Sequence, residues 1–75
     1  MHNLEEWKQR LIEEYSELSR KTNLLQIFLD DYENSNKMNT EDWNTLCVQR
    51  DIMNSYISIL AMRLTKHDLF KHIGE

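Results

Sequence analysis

The chain has 75 residues, a net charge of −4, one cysteine, one glycine and no proline. A chain of this length forms one domain at most and buries only roughly 60% of its unfolded surface, so oligomerisation is a common source of added stability. A single cysteine excludes an internal disulfide and fits a reducing compartment. The acidic balance lacks the basic stripe that binds long DNA or RNA, which excludes that class of partner.

No run of ~20 apolar residues is present, so we expect no membrane span. The first six residues carry neither the basic region nor the apolar core of a signal peptide. We therefore expect the protein to stay in the cytoplasm in which it is made.

The first half of the chain predicts one long helix, over about residues 3–33. Asn3 is a candidate N-cap, and Glu5 and Glu6 follow it in the first turn, where the helix dipole favours negative charge. Apolar residues then recur at the gaps of a heptad-spaced helical face. These residues are Leu4, Trp7, Leu11, Tyr15, Leu18, Leu25 and Leu29. The Asn34-Ser35-Asn36-Lys37 segment competes with helical hydrogen bonds and predicts a turn over 34–39.

The second half predicts another long helix, over about residues 40–66, capped by Asn39 or Thr40. It carries two apolar stripes rather than one. The first stripe is Trp43, Leu46, Met53, Ile57, Leu60 and Leu64, and the second is Val48, Ile52, Tyr56, Ile59 and Met62. A short C-terminal helix is predicted over residues 67–73, and we expect it to fold back as a last turn of helix.

These patterns predict an all-α fold with two long antiparallel helices and a short terminal helix. One helical partner covers one stripe, so a lone hairpin leaves apolar surface uncovered, and such patches usually mark interfaces. We therefore expect a compact homo-oligomeric helical bundle. A dimer is the commonest closed assembly, and the spacing of the apolar residues does not determine the number of subunits.

The residues that could carry catalysis do not form a convincing set. The histidines are His2, His67 and His72, and the last two are five apart, whereas three or four residues would place two ligands on one helical face. The acidic Glu13, Glu14 and Glu17 fit a solvated helix face better than a pair of catalytic carboxylates. We predict no catalytic residue, no metal site and no cofactor.

Four residues are candidates for binding, each with a structural alternative. Trp7 either plugs the core or stacks on a planar base. Lys21 and Thr22 interrupt an apolar face, where polar residues either specify register or hold an anion. Arg63 either covers apolar surface with its stem or repeats around a symmetry axis, where several guanidinium groups could surround an anion.

Four stretches, in their order and spacing, carry a family resemblance. They are Gln9-Arg10-Leu11-Ile12-Glu13-Glu14, Glu17-Leu18-x-x-Lys21, Leu25-x-x-Phe28 and the run from Leu46 to Leu64. The chain resembles the phage anti-CBASS sponge proteins, the anti-CBASS protein 2 family. These proteins bind the cyclic oligonucleotide signals of bacterial CBASS immunity and sequester them without cleavage.

The resemblance implies a homohexamer in the host bacterial cytoplasm that binds cyclic dinucleotides between paired subunits. It implies that Trp7 stacks on a base and that Lys21 and Thr22 hold phosphates. It also implies a separate pocket for cyclic trinucleotides, with Arg63 as the contact. Two other functions stay open: a helical-hairpin oligomer that serves as a protein–protein interaction module, and an enzyme that degrades the same signals.

Overall fold

The computed structural model describes residues 4–74, and every regular element in that range is helical. Helix α1 spans Glu6–Asp30, α2 spans Tyr32–Lys37, α3 spans Thr40–Lys66, and a 3₁₀ turn spans Phe70–His72. Rings of Trp7 and His67 meet at one end of the hairpin, and those of Phe28 and Trp43 meet at the other. The two long helices are therefore antiparallel. The predicted all-α class is confirmed, and the molecule is a rod of 49 × 19 × 16 Å.

The end of α1 differs from the expected boundary near residue 33. Asp31 leaves the helical conformation, and its Oδ1 accepts a hydrogen bond from the Glu33 backbone N–H at 3.0 Å. Asp31 thereby caps a short helix, α2, which overlaps the end of the predicted first helix and most of the turn expected over 34–39. At the other end of α1 the N-cap is Glu5, and the expected cap Asn3 lies outside the described residues.

Helix α3 begins where the sequence predicts. Asn39 is its N-cap, and the Asn39 side chain accepts a hydrogen bond from the Asp42 backbone N–H at 2.8 Å. Thr40, the alternative cap, is the first residue of the helix itself. Glu41 and Asp42 occupy the first turn, as the dipole favours.

The C-terminal segment folds back as expected, but its helical part is shorter than the helix predicted over residues 67–73. The Leu69 N–H donates to the Leu64 carbonyl at 2.9 Å, and the Asp68 N–H donates to the Thr65 carbonyl at 3.2 Å. This pair of bonds is a Schellman motif, in which Asp68 adopts a left-handed conformation with φ of 55°. The reversal folds Leu69 back onto Leu64, and only the 3₁₀ turn Phe70–His72 follows.

The buried core lies at the end of the hairpin where the start of α1 meets the end of α3. Its buried apolar residues are Leu11, Ile12, Leu60, Leu64 and Leu69. Leu4, Tyr15, Leu18 and Ile73 pack against this cluster. The opposite half, near α2, leaves Leu24, Ile27 and Phe28 exposed. Buried apolar residues thus hold the hairpin together at one end, whereas the apolar residues at the other end are half-buried or exposed.

A second apolar surface runs along α3 on the side away from α1. Its members, here called the outer stripe, are Val48, Ile52, Ile59 and Met62, which are between 53% and 67% exposed. They belong to the second stripe predicted from the sequence. None of the helices within residues 4–74 is long and apolar enough to cross a bilayer.

Candidate functional site

A cleft between α1 and α3 brings one aromatic ring, one ammonium group and two carboxylates together. Its volume is about 210 Å³. Here called the Tyr56 cleft, it is lined by Glu14, Glu17, Leu18, Lys21 and Tyr56. It contains one of the predicted phosphate contacts, Lys21, and an aromatic residue that the sequence reading placed only in an apolar stripe.

The two walls of the cleft are joined by one side-chain hydrogen bond. The Tyr56 hydroxyl donates to the Glu14 carboxylate, across 42 positions of sequence. This hydrogen bond raises the pKa of Tyr56 above its ordinary value, and loss of solvent and the Glu14 charge act in the same direction. The phenol therefore stays protonated at neutral pH, and the bond holds its ring at the cleft.

Lys21 stands at the α1 side of the cleft with a weak partner. Its Nζ lies 3.9 Å from Oε1 of Glu17, and both side chains are exposed. Glu17 also pairs with Arg20, whose hydrogen bond lowers the pKa of the Glu17 carboxyl. Exposed ion pairs contribute little stability, so the Lys21 ammonium can turn from Glu17 to a bound anion at small cost.

Thr22 opens onto the other side of the contact between α1 and α3. It is only 5% exposed, and its hydroxyl donates to the Leu18 carbonyl at 2.7 Å. The residue borders a neutral groove of about 250 Å³ that is lined otherwise by Ser19, Asn23, Gln26, Asn54 and Ile57. Within one subunit the structure therefore does not bring Lys21 and Thr22 into the same cleft.

Trp7 lies near the start of α1, in a cluster of its own. Its Nε1–H donates to Glu5 at 2.9 Å, its ring meets His67 edge-on at 4.9 Å, and Lys8 Nζ lies 5.5 Å from the ring centroid. The hydrogen bond from Trp7, together with Lys8, lowers the pKa of the Glu5 carboxyl. The indole is 42% exposed, so it is neither a core plug nor free of contacts.

Trp7 and Lys21 are far apart within one chain. Their separation of 14 positions corresponds to about 21 Å along the axis of α1, with a rotation of only about 40° around it. Both side chains thus leave the same side of α1 but at different levels. One ligand could contact both only if they came from different subunits.

Arg63 lies on the exposed side of α3, two turns beyond Tyr56. Its positive charge acts on Tyr56 and partly offsets the increase in the Tyr56 pKa. No ion pair holds Arg63 within residues 4–74. In the same range, no group of three or more His, Cys, Asp or Glu side chains is placed to hold a metal ion.

Tyr56 lines the cleft but was not among the residues predicted from the sequence, although a signal was present. Glu14 and Tyr56 each lie 21 residues from Ser35, in the segment where the chain turns. A hairpin folded there brings such equidistant residues to the same level. Tyr56 also stands at the edge of its apolar stripe, on the side facing α1.

Comparison with known proteins identifies a family but no individual relative. No curated protein and no solved structure matches the chain. The model of one family, described as Sequestin, matches residues 5–66, a range that contains α1, α2, α3 and the whole Tyr56 cleft. The name fits a protein that binds and sequesters a ligand, as the sponge resemblance predicts, and it indicates binding rather than catalysis. The chain belongs to the Sequestin family.

Proposed function

We propose that this protein is a phage-encoded immune-evasion protein that binds cyclic dinucleotide messengers of bacterial CBASS immunity and sequesters them without cleavage. Cyclic trinucleotides are a second ligand class in this proposal, and the host bacterial cytoplasm is the place of action. The observation that carries the proposal is the Sequestin match across α1, α2 and α3, since that family name denotes sequestration. The stretches that resemble the anti-CBASS sponges supply the ligand class.

Lys21 and Thr22 hold phosphate groups in this proposal, and Trp7 stacks on a base. The exposed ammonium of Lys21 supports its role. Trp7 reaches the same ligand from a second subunit, because the two residues are about 21 Å apart along one helix. Two antiparallel α1 helices that run side by side, with their midpoints level at Glu14, would place Trp7 of each near Lys21 of the other.

Self-association is supported by the outer stripe of α3. Val48, Ile52, Ser55, Ile59 and Met62 follow one another at gaps of four, three, four and three residues. This is the spacing of a coiled-coil seam, and four of its five members are apolar and uncovered in the single chain. We propose that copies of α3 cover one another along this seam in a homo-oligomer, with a hexamer as the expected state.

Native mass spectrometry of the protein, alone and with a panel of cyclic di- and trinucleotides, tests the proposal. We expect a homo-oligomer that gains one dinucleotide for each pair of subunits. Denaturation should release the ligand with its mass unchanged, because a sponge does not cleave it. Cleaved ligand would instead indicate an enzyme, and an assembly that binds no member of the panel would contradict the proposal.

The outer stripe also supports a second candidate, a protein–protein interaction module. In that case the stripe docks another protein, and Trp7 and Lys21 serve packing and register. Thermal unfolding separates the two functions, because a ligand present at ~100 times its dissociation constant stabilises the folded state by ~2.7 kcal/mol. An interaction module would show no such increase with any cyclic nucleotide.

A further inference from the structure

We propose that the Tyr56 cleft reads one nucleobase of the ligand and is selective for guanine. The Tyr56 ring stacks on the base, the Glu14 carboxylate accepts hydrogen bonds from its edge, and Lys21 contacts the adjoining phosphate. This inference rests on the proposed function, because it assumes a nucleotide ligand. The inference adds Tyr56 as a base-contacting residue, and a preference for guanine, to the proposed function.

Tyr56 is the aromatic side chain that shares a cleft with Lys21. It is 43% exposed, so part of its ring is open to a ligand, and the bond to Glu14 restrains its orientation. Trp7, the aromatic residue suggested by the sequence, is held by Glu5 and His67 at another level of the helix. A base stacks readily on an exposed tyrosine, and an ordered ring loses little entropy when it does so.

The size of the cleft indicates that it takes one base rather than a whole cyclic dinucleotide. Its volume is about 210 Å³. Pockets that enclose complete small ligands are usually about 300–1,000 Å³. The rest of the ligand would therefore extend out of the cleft, past Lys21, toward another subunit.

The Glu14 carboxylate defines which base fits. A carboxylate has room for about four hydrogen bonds, and Glu14 accepts one from Tyr56. Guanine presents two adjacent N–H donors on its Watson–Crick edge, and proteins read unstacked bases through such edges. Adenine places an acceptor next to its amino group, and uracil places its single ring N–H between two carbonyl acceptors. In either base, a partly negative acceptor atom would face the negative carboxylate of Glu14 and be repelled by it.

The charges around the cleft disfavour free phosphate as a ligand. Two carboxylates, Glu14 and Glu17, line the cleft beside the ammonium of Lys21, and Arg20, which pairs with Glu17, does not line it. Free phosphate would meet more negative than positive charge there. A guanine nucleotide instead supplies N–H donors to a carboxylate and a phosphate to the ammonium, so each charged group gains a partner of opposite character.

Isothermal titration of the wild-type protein with three cyclic dinucleotides tests the inference. The ligands carry guanine, its inosine analogue without the 2-amino group, or adenine. We expect the guanine ligand to bind tightest and the inosine analogue about tenfold more weakly, because one hydrogen bond to a charged acceptor is lost. Glu14→Gln should remove most of this difference, whereas Glu13→Gln, an exposed neighbour outside the cleft, should preserve it.

The stacking role has its own variants. Tyr56→Leu should weaken the guanine ligand about tenfold or more, as removal of a base-stacking ring does. Tyr56→Phe keeps the ring and serves as the folding control, and it should retain most of the affinity. Tyr32→Leu, on α2 outside the cleft, should bind as wild type does.

The outcomes distinguish this inference from the function on which it rests. A wild-type protein that binds none of the three ligands would overturn both. Equal binding of all three ligands, unchanged in a folded Tyr56→Leu variant, would overturn base reading by the cleft and leave sequestration intact. A preference for guanine that Glu14→Gln abolishes would establish the inference.

Discussion

The Tyr56 hydroxyl donates a hydrogen bond to the Glu14 carboxylate, and this bond joins α3 to α1 beside the buried core. It lies at the cleft that also contains Lys21. Contacts between the long helices elsewhere are mainly apolar, so this polar link fixes their relative rotation at the level of the cleft. A single residue pair thus couples the packing of the hairpin to the shape of its candidate binding surface.

The Tyr56–Glu14 bond predicts a pH dependence at the alkaline side. Glu14 raises the pKa of Tyr56 above 10.0, its ordinary value. Because the pKa of Tyr56 is higher in the folded than in the unfolded protein, its hydrogen bond stabilises the fold fully at a pH below the unfolded-state pKa. This stabilisation is lost as the pH rises through the folded-state pKa. The thermal midpoint should therefore fall more steeply above about pH 10 in wild type than in Tyr56→Phe. Tyr32→Phe, which removes an exposed hydroxyl, should follow the wild-type curve.

Substitutions in the dinucleotide site should weaken binding without changing assembly. Lys21→Ala should cost about tenfold or more in affinity, because it removes a charged donor to phosphate. Trp7→Ala should weaken binding by a similar factor through lost base stacking. Titration of a cyclic dinucleotide, with native mass spectrometry of each variant, makes both measurements. Lys37→Ala removes an exposed lysine from α2 and is the control; wild-type affinity in both site variants would contradict the assignment.

Arg63 should matter for larger ligands only. It lies on the exposed side of α3 without an ion pair in the described range, so its removal breaks no ion pair there. Arg63→Ala should reduce cyclic trinucleotide binding and leave cyclic dinucleotide binding unchanged, as paired titrations would measure. Arg10→Ala, at an exposed arginine in α1, is the matched control. Loss of dinucleotide binding in an intact Arg63→Ala assembly would contradict separate pockets.

The outer stripe should control self-association. Ile52 is 64% exposed in the single chain, and its burial between subunits would be reversed by a charged side chain. Ile52→Glu should therefore shift the assembly toward smaller species, as sedimentation velocity would show. Ser58→Glu adds the same charge to an exposed position of α3 outside the stripe and should keep the wild-type size. If both variants sediment alike, the stripe is not the interface.

The period of the apolar residues was enough to predict two long antiparallel helices. A spacing of three and four residues indicates a helix whatever surface that helix packs against. The ends of the helices were harder to predict from the sequence. Asp31 caps α2 with its own side chain, and a preference for turn residues after Asp30 does not distinguish a turn from a short capped helix. The sequence predicted that the C-terminal segment folds back, but not that Asp68 makes the reversal, because a non-glycine residue at positive φ goes against the usual preference.

The sequence supplied candidate binding residues but did not indicate which of them lie close together in the fold. Lys21 and Thr22 are adjacent in sequence, yet the burial of Thr22 separates them across the contact with α3. Tyr56 reads as one more apolar position until the hairpin register is known, since only that register places it opposite Glu14. Pairs of residues across the two helices depend on where the chain turns. An error of one residue in the predicted position of the turn changes every pair.

Asp68 should be a site of stored backbone strain. Its φ of 55° follows from its position after α3, where a residue in left-handed conformation closes the Schellman motif and returns Leu69 to the core. Glycine adopts this conformation without the clash of a β-carbon, whereas an L-residue loses about 1–2 kcal/mol there. Asp68 also pairs with Lys71 at 3.0 Å, so a single substitution would mix two effects.

Comparison of Asp68→Gly with Asp68→Ala separates those effects, because both variants lose the pair with Lys71. We expect the glycine variant to be more stable than the alanine variant by about 1 kcal/mol in the free energy of unfolding. Urea unfolding at one fixed protein concentration makes the measurement, since the apparent stability of an oligomer depends on concentration. Equal stability of the two variants would mean that position 68 does not need the left-handed conformation. The Schellman motif would then not be what ends α3.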